Sequence, residues 1–364
     1  MSKAAELANL IGNINAGGGS TNRNVIINGA MNVAQRGTSF PSVGASATQY
    51  TLDRFMWQTG NSAGRLTATQ DSSAPEGFAN SLKFACTTAD TSIVAGEYGI
   101  LQQPIEGQNL QHFSKGTSDA KPFAVSFYVK GNASATYVCE LYDSTNARQI
   151  SKTFNVTTSW SRVELSFPPD TSGTLNDDNA ESMILGIWLH AGSNYSSGTL
   201  NSSAWASNTN ANRTVGISSF FDSTDRTFFI TGVQVEVGQN PTDFEHEPLE
   251  RTLLKCRRYF IKKETGVNFG TLGVGGHIIG GTTAAILVPL PVEMRSQGTL
   301  TSGGSLRLTA PNADSVTVAL AYGSTHIPQL TATDSGGFTD GGGNGVVLMG
   351  DNDDDAFIAF DAEL

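Results

Sequence analysis

Residues 123–131, FAVSFYVKG, place Phe123, Val125, Phe127 and Val129 on one side of an extended chain and Ser126, Tyr128 and Lys130 on the other. A period of two belongs to a pleated strand with one face on a core and does not fit the 3.6-residue repeat of an amphipathic helix. The same alternation returns in TYVCELYD (136–143), SRVELSF (161–167), MILGIWLHAG (183–192) and TFFITGVQVEVG (227–238). Turn-rich stretches such as 170–182 and 194–214 lie between them. Several strands with long polar loops, over about 225 residues, predict an antiparallel sandwich.

Composition points the same way. Hydrophobic residues make up 38% of the chain and charged residues only 15%, so it can bury enough apolar surface to offset the entropy of ordering. Ser, Thr, Asn and Gly replace the missing charge; they favour turns and compete with the helical backbone. The formal net charge of −11 argues against duplex nucleic acid and anionic membrane as partners. No apolar run reaches the roughly 20 residues of a membrane span. Three cysteines, Cys86, Cys139 and Cys256, with no CxxC spacing, make a disulfide framework an unsuitable reading.

Four segments follow. Residues 1–23 hold a short helix over 2–11, capped by Ser2 and ended by Gly12, and then a Gly-rich linker. Leu7, Leu10, Ile11 and Ile14 form an apolar stripe on it. So short a helix is not stable alone in water, so the stripe is expected to dock on other molecules. Residues 24–247 form the sandwich. In 248–264 the pattern becomes helical, with Leu249, Leu253 and Leu254 on one side and basic residues near the end where the dipole favours them. Residues 265–364 form a second, smaller β domain, with strands expected at 284–294, 305–310, 316–322, 345–350 and 356–364 and with GVGG, TSGG and DGGGNG read as turns. It holds ten acidic residues against two basic ones. The fold class expected is all-β: an antiparallel jelly-roll sandwich, a smaller C-terminal β domain and a short N-terminal helix.

Three stretches carry a resemblance. NVIINGAMNVAQRGTSF (24–40) with YTLDRFMW (50–57) resembles the opening of a jelly-roll domain of marine and cyanobacterial phage tail fibres. FFITGVQVEVGQNPTDFEHEPLERTLLKCRRYF (228–260) resembles its close, and LPVEMRS (290–296) with FDAEL (360–364) resembles the β domain that follows. The resemblance implies a homotrimeric virion protein, assembled in the host cytoplasm. Its N-terminal segment would attach to other tail or capsid proteins, and its β domains would meet a host surface polysaccharide or outer-membrane receptor. The absence of a signal-peptide core in MSKAAELANLIG agrees with that route. Two alternatives stay open: a capsid- or neck-associated decorating fibre, and a polysaccharide depolymerase.

Strand parity supplies a candidate saccharide face. Tyr128 and Lys130 project opposite Phe127 and Val129, Trp188 and His190 opposite Leu185, Ile187 and Leu189, and Gln234 and Glu236 opposite Val233, Val235 and Val237. Aromatic planes take the C–H face of a sugar ring, while amides and carboxylates take its hydroxyls. The competing reading buries Trp188 between layers or in an interface.

Asp351, Asp353 and Asp355 match the first half of a calcium loop, but Ala356 and Ala362 stand where Gly and Glu are needed, so a solvated acidic turn is favoured over a structural calcium site. The five histidines show no HxH or HExxH spacing, and no nucleophile elbow or Walker loop occurs. No catalytic residue and no cofactor is therefore assigned, and the chain is read as a binder and not an enzyme.

Overall fold

The computed structural model describes residues 3–8, 22–309, 313–338 and 345–364. The protein is all-β apart from short helices, and it divides into two units, residues 1–249 with 364 and residues 250–363. Residues 3–8 form α1, with Leu7 exposed, while Leu10, Ile11 and Ile14 of the expected stripe lie outside the described residues.

The strands of the first unit begin with β1 (Ser39–Val43), β2 (Thr48–Tyr50), β3 (Met56–Gly60), β4 (Arg65–Asp71), β5 (Ser81–Thr88) and β6 (Tyr98–Glu106). They continue with β7 (Phe123–Gly131), β8 (Ala135–Asp143), β9 (Arg148–Val156), β10 (Ser161–Phe167), β11 (Glu181–Ala191), β12 (Ala206–Ser207) and β13 (Thr227–Val237). They build a six-stranded sheet, β1-β4-β5-β13-β7-β10, and a seven-stranded sheet, β12-β9-β8-β11-β6-β3-β2. The chain crosses repeatedly from one sheet to the other, which makes the jelly roll. Phe84, Phe127, Phe228 and Val235 of the first sheet meet Trp57, Leu101, Tyr137 and Ile187 of the second in one core. Those are the inward positions of a period-two pattern, so the sandwich follows directly from the alternation.

The opening and closing stretches, more than 200 positions apart in sequence, meet in space. Val25 N–H donates to the Val235 carbonyl at 3.0 Å and Val233 N–H to the Gly29 carbonyl at 3.0 Å. Glu245 accepts from the consecutive N–H groups of Asn22, Arg23 and Asn24 at 2.5, 2.7 and 2.9 Å. Gly29 is required there, because a Cβ would lie 2.1 Å from the Val233 carbonyl oxygen. The neighbouring Asn28 has φ +61° and bonds Val33 N–H and C=O with its side-chain amide, as an amide residue in the left-handed region can.

After β13, α2 (Ser193–Ser196) having preceded it between β11 and β12, the chain forms α3 (Leu249–Arg257), which follows Pro248 and ends in Lys255 and Arg257. The second unit contains β14 (Phe260–Glu264), β15 (Thr271–Ile278), β16 (Thr283–Leu287), β17 (Thr299–Gly303), β18 (Leu306–Leu308), β19 (Thr317–Tyr322), β20 (Gln329–Thr333), β21 (Gly345–Gly350) and β22 (Phe357–Asp361). These pair as β14-β22-β17 and β18-β21-β15-β16-β20-β19 over a core that includes Ile286, Leu308, Leu330, Leu348 and Phe360.

Two sequence expectations need correction here. GVGG is not a turn but the middle of β15, where the register shifts and Gly275 has φ +65°. Gly273 and Gly276 leave room for Ile286, whose side chain would stand 2.7 and 2.5 Å from a Cβ at those positions. The strand expected over 284–294 ends at Leu287; Pro289 and Pro291 follow, and neither can donate to a ladder.

Candidate functional site

The side chains expected on open strand faces are distributed over four distinct environments. Trp188 does lie on the face of its sheet opposite Leu185, Ile187 and Leu189, but that face is closed. It is 1% exposed, in a small cluster with Ile100, Val138 and Ala191, onto which Tyr98, Tyr195 and Ile217 pack. Tyr195 comes from α2 and Ile217 from the stretch before β13, so the polar segment read as a loop folds back over the sheet. Under it Trp188 Nε1 donates to Glu140 Oε2 at 2.9 Å, and Arg213 donates to both Glu140 oxygens at 2.8 and 2.7 Å. The guanidinium carbon lies 4.6 Å from the Trp188 ring centre. A charge so placed is held by a bidentate pair and an aromatic face together. Trp188 is therefore a structural residue, and the burial reading is the correct one for it.

His190 falls where the β11–β6 register breaks, after Trp188. It is fully buried, edge-on to Phe221 at 5.3 Å between ring centres. Its Nε2 lies 3.2 Å from Glu97 Oε2 and its Nδ1 2.9 Å from Ser219 Oγ. Asp90 completes a group of three, with the ligating atoms all within 4.8 Å of one another. Burial pushes the imidazole pKa down, against the opposing pull of Glu97 and Asp90. Burial also works to raise the Asp90 carboxyl, yet hydrogen bonds from Ala63 and Ser92 N–H and the Ser62 hydroxyl outweigh it and hold it below the usual carboxylate range.

Gln234 and Glu236 are buried by the clasp itself. Glu236 accepts from Thr242 N–H at 2.7 Å and Oγ1 at 2.8 Å, and Gln234 donates to Glu236 and accepts from Glu245 N–H at 2.8 Å. They hold the 242–245 segment onto β13 and are not presented to a ligand.

Tyr128 and Lys130 remain half-buried on the outer face of the six-stranded sheet. Phe229 pairs across with both Lys130 on β7 and Lys83 on β5, so one row crosses the sheet as Trp160, Lys130, Phe229, Lys83. Lys130 Nζ lies 5.2 Å from the Trp160 ring centre and 4.6 Å from that of Phe229, and Lys83 Nζ 5.3 Å from Phe229. Asp71 stands 3.3 Å from Lys83 Nζ, and Lys130 donates to Ser73 Oγ at 2.8 Å. Beside this row Tyr128 packs on Phe78, which also meets Phe244 and the exposed His246, with ring centres 5.0–5.3 Å apart. Phe229 itself is buried, at 8% exposed, while Trp160, Tyr128, the two ammonium groups and the Asp71 carboxylate are partly exposed on this face.

The sequence reading did not single out Trp160, Phe229 and Lys83. Phe229 is the instructive one. The core-facing residues of β13 are Phe228 and Ile230 before the irregularity between Thr231 and Gln234, and Val233, Val235 and Val237 after it. Gly232, at φ +62°, shifts the parity there. Counting back from Val233 would turn Phe229 inward; a glycine inside the strand is the one signal of the shift.

In the second unit Asp351 stands 3.3 Å from Arg307, and Asp353 accepts from the N–H groups of Ser305 and Asp355. Those backbone hydrogen bonds hold the Asp353 carboxyl below the usual range. Asp351 and Asp353 are engaged in the turn before β22, and among the described residues no metal-ligating group includes Asp351, Asp353 or Asp355.

No protein-family model and no curated protein matches the chain. Among solved structures, it is similar to a carbohydrate-binding module, CBM4, at 13% identity and a TM-score of 0.30, covering 58% of this chain and 97% of that one. A family 11 carbohydrate-binding module from Clostridium thermocellum, in complex with a mixed-linked tetrasaccharide, is 11% identical with a TM-score of 0.28, covering 57% and 97%. The enzymatically active domain of tailspike protein 4 of bacteriophage CBA120 is 13% identical with a TM-score of 0.30, covering 59% of this chain and 21% of that one.

Proposed function

We propose that the chain is a non-enzymatic, glycan-binding appendage of a phage particle, and that its sugar-binding surface is the outer face of the six-stranded sheet. The observation that carries the binding part is the row Trp160, Lys130, Phe229, Lys83, with Asp71 and Tyr128 at its margins. Trp160 offers a partly exposed ring plane to C–H groups, and the ammonium and carboxylate groups offer donors and acceptors to hydroxyls. The virion part rests on the resemblance of residues 24–57 and 228–260 to phage tail-fibre jelly rolls, whose implied trimer would multiply a weak single site by avidity.

The full chain is applied to an array of bacterial surface glycans, with Trp160→Ala, Lys130→Ala and Trp188→Phe compared. Loss of binding of tenfold or more in the first two, at an unchanged thermal midpoint, supports this surface. Undiminished binding by Trp160→Ala removes it. Release of reducing ends from host polysaccharide would overturn the non-enzymatic assignment, and failure of antibodies to the chain to label phage particles would overturn the virion assignment.

A further inference from the structure

We propose that Asp90, Glu97 and His190 form a binding site for one divalent transition-metal ion of the zinc class, which joins the 90–97 segment to the end of β11.

The argument begins with charge. Several other buried carboxylates of this unit sit against cations: Asp143 and Asp170 against Lys115, and Glu140 against Arg213. Asp90 and Glu97 are 6% and 3% exposed, and among the described residues neither forms an ion pair with a Lys or Arg. Their one basic neighbour is His190, which is fully buried. Two buried carboxylates and one imidazole converging with no Lys or Arg among them form a set of donor atoms that a divalent cation can hold together.

Geometry agrees. Four-coordinate zinc with bonds near 2.0–2.1 Å has ligand atoms about 3.3 Å apart, and His190 Nε2 and Glu97 Oε2 are already 3.2 Å apart. The ligating oxygen of Asp90 lies within 4.8 Å of both, and ion binding would draw this third side in. The ligands are also oriented from behind. Ser219 Oγ sits 2.9 Å from His190 Nδ1, leaving Nε2 to the ion, and the Ser62 hydroxyl and Ala63 N–H hold Asp90 Oδ2 at 3.0 and 2.8 Å. Outer partners of this kind fix ligand tautomer and direction. One imidazole with two carboxylates suits zinc or cobalt better than calcium, which takes oxygen ligands in larger number. Three protein ligands leave a fourth position for water. Residues 91–95, between the two carboxylate ligands, are exposed.

The full chain is stripped with chelator, dialysed, and titrated calorimetrically with zinc chloride. Binding of one equivalent per chain is expected, with a thermal midpoint roughly 5–10 °C higher at a hundredfold excess over Kd. Cobalt should give visible ligand-field bands in the wild type and none in His190→Gln. If His190→Gln does not fold, Glu97→Gln, which keeps a hydrogen-bond acceptor toward the imidazole, carries the comparison and should weaken zinc tenfold or more. No zinc heat in the wild type, or full zinc affinity in the folded variant, overturns the site. Glycan binding measured in parallel is expected to be unaffected by the metal, so the two proposals fail separately.

Discussion

Arg213 lies over the ring of Trp188 while both donate to the same carboxylate oxygen, Glu140 Oε2. This relationship turns what would be a ligand platform into a covered layer of the fold. The segment that supplies Arg213 is rich in Ser, Asn and Thr and is held by local bonds such as Gly198 N–H to the Ala211 carbonyl at 2.8 Å and Thr214 N–H to the Tyr195 carbonyl at 2.9 Å.

Trp188→Ala should therefore unfold the protein more readily, not change its surface. Removing a large buried aromatic ring and its hydrogen bond costs about 3–5 kcal/mol. Urea denaturation would read this as a lower midpoint with an unchanged slope. A midpoint equal to wild type would mean that the covering segment is not seated on the ring.

Replacing Arg213 alone leaves Glu140 charged and buried. Arg213→Met should cost about 3–5 kcal/mol, whereas Glu140→Met with Arg213→Met should recover much of that loss, since an apolar pair carries no desolvation penalty. A double-mutant cycle in denaturant tests this. Additive single effects would show that the two residues do not act as a pair.

The Lys115, Asp143, Asp170 and Arg148 group sets a pH limit. Burial works to raise the Asp170 carboxyl, but hydrogen bonds from Arg148, Ser172 N–H and Lys115 hold it below its ordinary 3.8. A carboxylate with a depressed folded-state pKa contributes stability that is complete above the unfolded value and is lost as pH falls through the folded one. Thermal midpoints should thus fall below about pH 4, and Asp170→Asn should be less stable at neutral pH with a flatter acid limb. An acid limb of equal steepness in the variant would exclude Asp170 as its source.

The Glu245 clasp gives a local prediction. Glu245→Ala removes the acceptor of three consecutive N–H groups and should cost about 1–3 kcal/mol, with Glu245→Gln retaining part of it. Amide exchange at residues 23–25 should accelerate ahead of exchange in β7. Uniform acceleration across the sheet would mean that the clasp opens only with global unfolding.

The pattern of alternation in β7, β8, β10, β11 and β13 was enough to determine the all-β class and the inward set Phe127, Val129, Ile187 and Val235, because a pleated strand buries every second residue whatever its partners. Parity also separated Trp188 from Leu189 and Tyr128 from Phe127 correctly. It could not say whether a non-core face meets water or another stretch of the same chain. The 192–218 segment covers Trp188, and the 239–245 segment, which begins directly after β13, turns back over Gln234 and Glu236. The group Asp90, Glu97 and His190 likewise has no spacing motif, since two members come from the loop between β5 and β6 and the third from the end of β11. Which faces stay open, and which polar groups converge, was decided only by how the loops pack back on the sheets.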